Sequence, residues 1–379
     1  MQELKFTFGK IRIGDAARKR ILESLDAHWV SAGKHVQTFE QKFKNHFNYH
    51  EAVAVSSGTA ACFAAVAALY DFEKSQADEI IVPALSFVAT ANAVRAAGFK
   101  PVFVDIDRKT LNLDPSKIES AISKKTKAIQ VVHTMGKPCD MTSIMNIAEK
   151  YHLVVLEDCC EAHGASYQNQ IIGSFGLAGT FSFYAAHLIC SGEGGMVTTH
   201  DPEFAKLLRS VRSHGRPDGT DYFQFDRFGF NCKMNDLEAA IGIEGIDHFD
   251  EIFKTRKKNL LQLLDQNRDL AHVFYFLTEE KDEVISPHAF PLVFRQDIAV
   301  QSSHLYHFLL EHGIQVKTLF GSLPTQHRAF SYLQHRLGEF PEAEYVGEKG
   351  LHFGCHQYLT PEDIAYVSTL LHEYVKKWI

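Results

Sequence analysis

Between residues 52 and 199 the chain keeps returning to one pattern, a short apolar run followed by a segment of helical period. The runs fall at 52–55, 79–83, 101–105, 127–133 and 153–157. Helices are expected after the turn at 56–60, over 86–97, from Asp114-Pro115 onward and over 141–151. A proline in the first turn of a helix removes only an amide that would lack a partner there. Near-continuous apolar strands need cover on both faces, and crossover helices supply it when the strands run parallel. The pattern predicts an α/β fold on a mostly parallel sheet. Two helices precede it, one over 15–29 with Ile21, Leu22, Leu25 and Trp29 at helical spacing, the other over 36–47. From about residue 245 the pattern changes. A helical stretch over 246–267 gives way to β-rich 272–277 and 288–294, then to two further helices. We expect a large α/β unit over 1–245 and a smaller C-terminal α+β unit over 246–379, joined without a flexible linker.

Composition narrows the function. A chain of 379 residues with 45% hydrophobic content can bury a large core, and a net charge of −7 gives no basic footprint for nucleic acid. No run approaches the ~20 apolar residues of a membrane span. Residues 1–10 lack the apolar centre of a signal peptide. Seven cysteines without a C-x-x-C pair, with Cys159 and Cys160 adjacent, suit buried thiols in a reducing cytoplasm better than a disulfide or zinc framework. The 21 histidines show no metal-binding spacing, so no metal is expected.

Three stretches place reactive side chains at strand ends. Ser56-Ser57-Gly58-Thr59-Ala60 turns a strand into an apolar helix, which points backbone N–H groups and a helix N-terminus at an anion such as phosphate. Residues 156–165 read LEDCCEAHGA and set Asp158 and Glu161 just beyond a second strand. Residues 180–199 read TFSFYAAHLICSGEGGMVTT, with a strand-like start, His187, a glycine-rich elbow and a strand over 196–199. An imidazole can move a proton at neutral pH.

Across essentially its whole length the chain resembles the DegT-type nucleotide-sugar aminotransferases. These are pyridoxal phosphate (PLP) enzymes with the type I, aspartate aminotransferase-like transferase fold. In that family a lysine that holds the cofactor as a Schiff base stands where this chain has His187, and no lysine occurs between Lys150 and Lys206. The same Lys-to-His change marks a branch of sugar 3-dehydratases that bind pyridoxamine phosphate (PMP) non-covalently. The resemblance implies that Ser57, Gly58, Thr59 and Ser182 hold the cofactor phosphate and that Asp158 faces the pyridine nitrogen. An anion there keeps the ring protonated, and the protonated ring is the electron sink. Phe87 corresponds to the aromatic ring over the pyridine, although it could also be a core residue. Glu161 stands near the phenolic oxygen, where aminotransferases commonly have Gln. Asn231, in FGFNCKMND, matches an asparagine that reaches the phosphate of the neighbouring subunit, which implies a homodimer with shared sites. His214 and Arg216 are candidates for sugar or glutamate contacts, and His356 is left without a role.

The chemistry implied by the resemblance begins with condensation of the PMP amine with the ketone of a nucleotide-linked 4-keto-6-deoxyhexose. His187 then takes a proton from the cofactor's methylene carbon, the hydroxyl on sugar carbon 3 departs, and L-glutamate re-aminates the spent cofactor. The related CDP-sugar enzymes carry a cysteine-rich iron–sulfur segment; residues 216–230 here hold no cysteine, so a GDP-linked substrate fits better. An ordinary sugar aminotransferase and a catalytically silent ligand-binding homologue stay open as alternatives.

Overall fold

The computed structural model describes residues 4–72, 76–217 and 223–379. Residues 1–3, within the N-terminal stretch read for a signal peptide, and 218–222, within the cysteine-free stretch, lie outside the described residues. Nine strands come first: β1 (Glu51–Val55), β2 (Glu79–Pro83), β3 (Lys100–Val104), β4 (Thr126–Val132), β5 (Val154–Asp158), β6 (Ser166–Tyr167), β7 (Gln170–Ile171), β8 (Ala178–Ser182) and β9 (Gly195–Thr199). Seven of them form one sheet in the order β1-β9-β8-β5-β4-β2-β3. The pairs β2/β3, β2/β4, β4/β5 and β5/β8 are parallel, and β9 runs antiparallel between β1 and β8. The mostly parallel sheet expected from the apolar runs is what the chain forms.

Around this sheet lie α1 (Asp15–Asp26), α2 (Lys34–Phe47), α3 (Gly58–Phe72), α4 (Ala89–Ala96), α5 (Pro115–Ala121), α6 (Met141–Tyr151), α7 (Pro202–Val211) and α8 (Asp236–Asp247), while α9 (Phe249–Gln266) packs chiefly on the C-terminal part of the chain. Helix α3 is apolar on nearly every side and buried along most of its length, packed against β8 and β9. Helix α5 starts as expected, with Pro115 in its first turn and the Asp114 carboxylate accepting the Ser116 N–H.

Four expectations differ from the structure: after residue 294 the described chain forms four α-helices where two are expected, and three earlier elements have other bounds. Helix α1 ends at Asp26, short of Trp29, because the chain turns left-handed at His28 (φ 52°). Its apolar stripe is not buried within one chain: Leu22, Leu25 and Trp29 are exposed while Ala17 and Ser24 are covered. Helix α4 begins at Ala89 rather than 86, since Leu85 bridges Ser322 and the Ala84 carbonyl accepts the Leu323 N–H, which holds the approach extended. The helix expected at 246–267 breaks at His248, and α8, which precedes that break, was not anticipated. Two glycines dilute the helical signal of α8. A Cβ at Gly242 would lie 2.7 Å from the Phe39 ring, so that glycine serves the close approach of α2 and α8.

The remaining strands are β10 (Phe274–Phe276), β11 (Glu283–Val284), β12 (Ala289–Phe294), β13 (Val316–Thr318) and β14 (Gly350–Gly354). An antiparallel sheet ordered β10-β12-β14-β13 is flanked by α10 (Ser302–Glu311), α11 (Leu323–Gln326), α12 (Pro341–Lys349) and α13 (Pro361–Trp378). A small sheet, β11-β6-β7, ties Val284 to Ser166. We propose the expected division at 245/246, which falls in the last turn of α8 just before the break at His248, as the boundary between two units, with the first described residues packing on the second: Phe6 bridges Ile314 and sets its ring edge-on to Phe353.

Buried Glu157 closes the turn leading into β8. Its Oε2 accepts the Gly173 N–H at 2.6 Å, and its Oε1 accepts those of Phe175 and Gly176 at 2.8 Å. A Glu157→Leu change would strand three donors, each costing ~1–3 kcal/mol. We expect a loss of at least ~3 kcal/mol in urea unfolding. A loss below ~1 kcal/mol would mean that these amides find other partners.

Candidate active site

The carboxyl ends of β1, β5 and β8 open into a cavity of about 460 Å³, which strands of the second sheet close from the other side. In open α/β sheets this end of the strands is where crevices form. Ser57, Gly58 and Thr59 arrive from β1 and the start of α3, Asp158 from the end of β5, Ser182 from the end of β8, and Phe87 from the turn after β2. Glu161 and His187, from the loops after β5 and β8, complete the set. Eight of the eleven residues singled out in the sequence therefore line one cavity.

The cradle at α3 is tight. The Ser57 hydroxyl accepts the Ala60 N–H at 3.0 Å, and a Cβ at Gly58 would lie 2.5 Å from the Ser182 Cβ. Only glycine lets the helix N-terminus come this close to Ser182. Asp158 is 5% exposed; Thr90 donates to its Oδ2 at 2.8 Å and the Cys160 N–H to its Oδ1 at 3.2 Å. It has no cationic partner among the described residues. Phe87 is 59% exposed, its ring edge-on to Phe320, so it is a wall of the cavity rather than core.

His187 follows a tight turn, its N–H bonded to the Tyr184 carbonyl at 3.0 Å. The buried Arg256 of α9 fixes this loop by donating to the carbonyls of Ala186 and His187 at 3.2 and 3.1 Å. Burial, with the nearby Arg256 and Lys317 cations, pushes the His187 imidazole down to about 3, so it is neutral at working pH. Burial has the opposite sign for Glu161, lifting its carboxyl to about 7 even though the Met135 N–H donates to it at 2.7 Å.

Asn231, His214 and Arg216 do not line this cavity. They come together elsewhere: Ser213 bridges Asn231, and the His214 N–H donates to the Phe230 carbonyl at 2.9 Å. Asn231 and His214 are exposed, and the Arg216 guanidinium stacks over Phe223. His356 is buried and bonded to the Thr7 hydroxyl at 3.1 Å, a structural placement. All seven cysteines are free, six of them buried. No helix among the described residues is long and apolar enough to cross a membrane.

Sequence reasoning missed His288, Lys317 and His352, which enter the cavity from the second sheet. His288 stood in a stretch read only as β-rich. Its chemistry becomes visible only where its ring meets the Glu161 carboxylate and the His187 ring.

The architecture is the fold of the PLP-dependent enzymes of the aspartate aminotransferase type. Residues 12–372 match the model of the DegT/DnrJ/EryC1/StrS aminotransferase family, and the chain belongs to that family. It is 32% identical over 376 residues to the GDP-perosamine synthase of Escherichia coli O157:H7, covering 94% of this chain and 95% of the relative. It is also 32% identical over 368 residues to the GDP-4-keto-6-deoxy-D-mannose 3-dehydratase of Yersinia pseudotuberculosis, covering 92% and 93%. The solved structure of the E. coli GDP-4-keto-6-deoxy-D-mannose-3-dehydratase with bound hydrated PLP superposes with a TM-score of 0.89 at 29% identity, over 98% of this chain and 100% of that one.

Proposed function

We propose that this chain is a PMP-dependent 3-dehydratase of a nucleotide-linked 4-keto-6-deoxyhexose, with a GDP-linked mannose derivative as the favoured substrate and L-glutamate as the donor that renews the cofactor. The observation that carries this reading is His187, which occupies the cavity where the family's lysine is expected. PLP/PMP is the cofactor. The residues present fit it on two counts: Gly58 and Ser182 form a cradle closed to any larger side chain, and Asp158 is a buried carboxylate without a cation of its own.

When bound, the cofactor supplies an amine for the sugar's carbonyl and a protonated ring that spreads the electrons released beside it. Gly58 and Thr59 would present N–H groups to its phosphate together with the Ser57 and Ser182 hydroxyls. Asp158, steadied by Thr90, would keep a proton on the ring nitrogen. Phe87 would shield one ring face from water. Glu161 would stand near the phenolic oxygen. His187, neutral and pinned through its carbonyl by Arg256, would take a proton from the reacting carbon.

A second reading, amino transfer, is favoured by Lys317, a lysine that does line the cavity and whose amine is made less basic by burial. One experiment separates the two. The protein is incubated with GDP- and CDP-linked 4-keto-6-deoxyhexoses and L-glutamate, and the products are read by mass spectrometry. Loss of the carbon-3 oxygen supports dehydration. Gain of an amino group, with borohydride fixing the cofactor to Lys317, supports transfer and ends the dehydratase reading.

We further propose a homodimer with shared sites, in which His214 and Arg216 contact substrate or glutamate. Support comes from the apolar side chains that one chain leaves exposed, among them Leu22, Trp29, Phe223 and Phe228, and from the position of Asn231 outside its own chain's cavity. If Asn231 serves the partner's phosphate, mixing inactive Asn231→Ala and His187→Ala chains restores activity at one site in two. Mixed dimers without activity would place each site within a single chain.

A further inference from the structure

Glu161, His288 and His187 stand in line along the cavity. Glu161 Oε2 is held by the Met135 N–H, which leaves Oε1 facing His288 Nε2 at 3.5 Å. The other ring nitrogen of His288, Nδ1, faces His187 Nδ1 at 3.5 Å. His187 Nε2 has no partner among the described residues and is the nitrogen left for a substrate. Such distances tighten when a site is loaded.

The frame behind this line is specific. Met135 adopts φ 53°, a left-handed conformation uncommon for a residue with a side chain, and so aims its N–H at Glu161. The next residue, Gly136, accepts the Ser286 N–H at 3.0 Å, and a Cβ there would lie 2.1 Å from the Ser286 carbonyl oxygen. The segment bearing His288 is thereby fastened to the segment that orients Glu161. Arg256 fixes the other end at His187. A base oriented by a second group, itself oriented by a third, is the arrangement that makes proton transfer directional.

We propose that Glu161, acting through His288, sets the tautomer of His187, so that His187 Nε2 alternates between proton acceptor and proton donor while both imidazoles stay uncharged. With Glu161 ionised, His288 donates its Nε2 hydrogen to the carboxylate and accepts at Nδ1 the hydrogen of His187 Nδ1. His187 Nε2 then presents a lone pair. A proton arriving there is balanced by passage of the His187 Nδ1 hydrogen to His288 Nδ1 and of the His288 Nε2 hydrogen to Glu161 Oε1. One bond to hydrogen forms for each that breaks, and the net result is one proton moved from the reacting carbon to Glu161. The reverse passage hands a proton back through His187 Nε2, as a departing hydroxyl requires. His288 is a positioning residue in this scheme. Its use rests on the dehydratase reading; the coupling of the three groups does not.

The electrostatics agree with the geometry. Burial holds His288 well below the usual imidazole range and His187 at about 3, so neither ring charges at working pH, while Glu161 at about 7 changes its proton there. The other groups facing these three are Arg256 of α9, Lys317 of β13, Asp158 of β5 and the buried, neutral rings of His163 and His352. Ionisation of Glu161 is what frees the lone pair, so proton abstraction should rise with pH through about 7.

The test is the nitrogen-15 NMR spectrum of histidine-labelled protein, loaded with PMP, across about pH 5.5–8.5. In the wild type, His187 is expected to pass from the Nε2–H to the Nδ1–H tautomer as pH rises through about 7, without an imidazolium signal. His288→Gln, whose amide cannot exchange one nitrogen's hydrogen for another's, and His288→Phe should both lose this transition and the matching limb of the kcat profile. If His288→Phe does not fold, His288→Gln and the wild-type titration decide by themselves. A wild-type His187 tautomer that does not change over this range, or a transition that survives in His288→Gln, overturns the relay. A transition present in a protein that does not dehydrate any keto-sugar would leave the relay standing and end the functional reading instead.

Discussion

A His187→Asn protein is expected to retain PMP and to dehydrate its keto-sugar ~10²–10⁴-fold more slowly than the wild type, the usual worth of a positioned general base. Asparagine approaches the reach of histidine, so the loop held by Arg256 through the Ala186 and His187 carbonyls need not move, and retention of the cofactor should separate lost chemistry from lost binding. Single-turnover rates with preloaded PMP give the comparison. Dehydration at the wild-type rate would make His187 a bystander filling the space of a lysine. His187→Lys asks the converse question. The buried site and the Arg256 and Lys317 cations that push the imidazole down would also favour a neutral amine. That amine could hold the cofactor covalently, giving a visible-absorbing protein in which dehydration falls and amino transfer or an idle cofactor takes its place.

Asp158→Ala should weaken cofactor retention by ~10²–10⁴-fold, the equivalent of the ~3–5 kcal/mol lost when one member of a buried charge pair is removed. The Asp158 carboxylate is almost wholly enclosed, accepts from Thr90 and the Cys160 N–H, and meets no cation from the described chain. A buried anion in that condition is costly unless a bound group brings the missing positive charge. Equilibrium dialysis against PMP measures the loss directly, and turnover should vanish with it because the ring nitrogen would no longer be kept protonated. Cofactor affinity within about threefold of wild type would remove Asp158 from the ring nitrogen.

Local patterning was enough to read the α/β architecture and most of the residues that line the candidate site. Strand burial and backbone turns are local properties: the apolar runs at β1 to β5 had to be covered on both faces, and Ser57-Gly58-Thr59, Asp158 and Ser182 follow strand ends whose positions the runs define. The absence of a lysine beside His187 is equally local. Three features depend on contacts between distant parts of the chain. Leu22, Leu25 and Trp29 have the spacing of a buried stripe, yet they stay exposed because no part of the described chain covers them. Phe87 could have been core or cavity wall, and the Leu85–Ser322 bridge, spanning more than half the chain, holds the turn before α4 that carries it to the wall. His288 and Lys317 reach the cavity because a second sheet docks over the first, and nothing in their own neighbourhoods marks that approach. Periodicity records which face of an element is buried, but it carries no information about which distant element does the burying. A proton relay assembled from three separate loops is therefore invisible until the chain has folded.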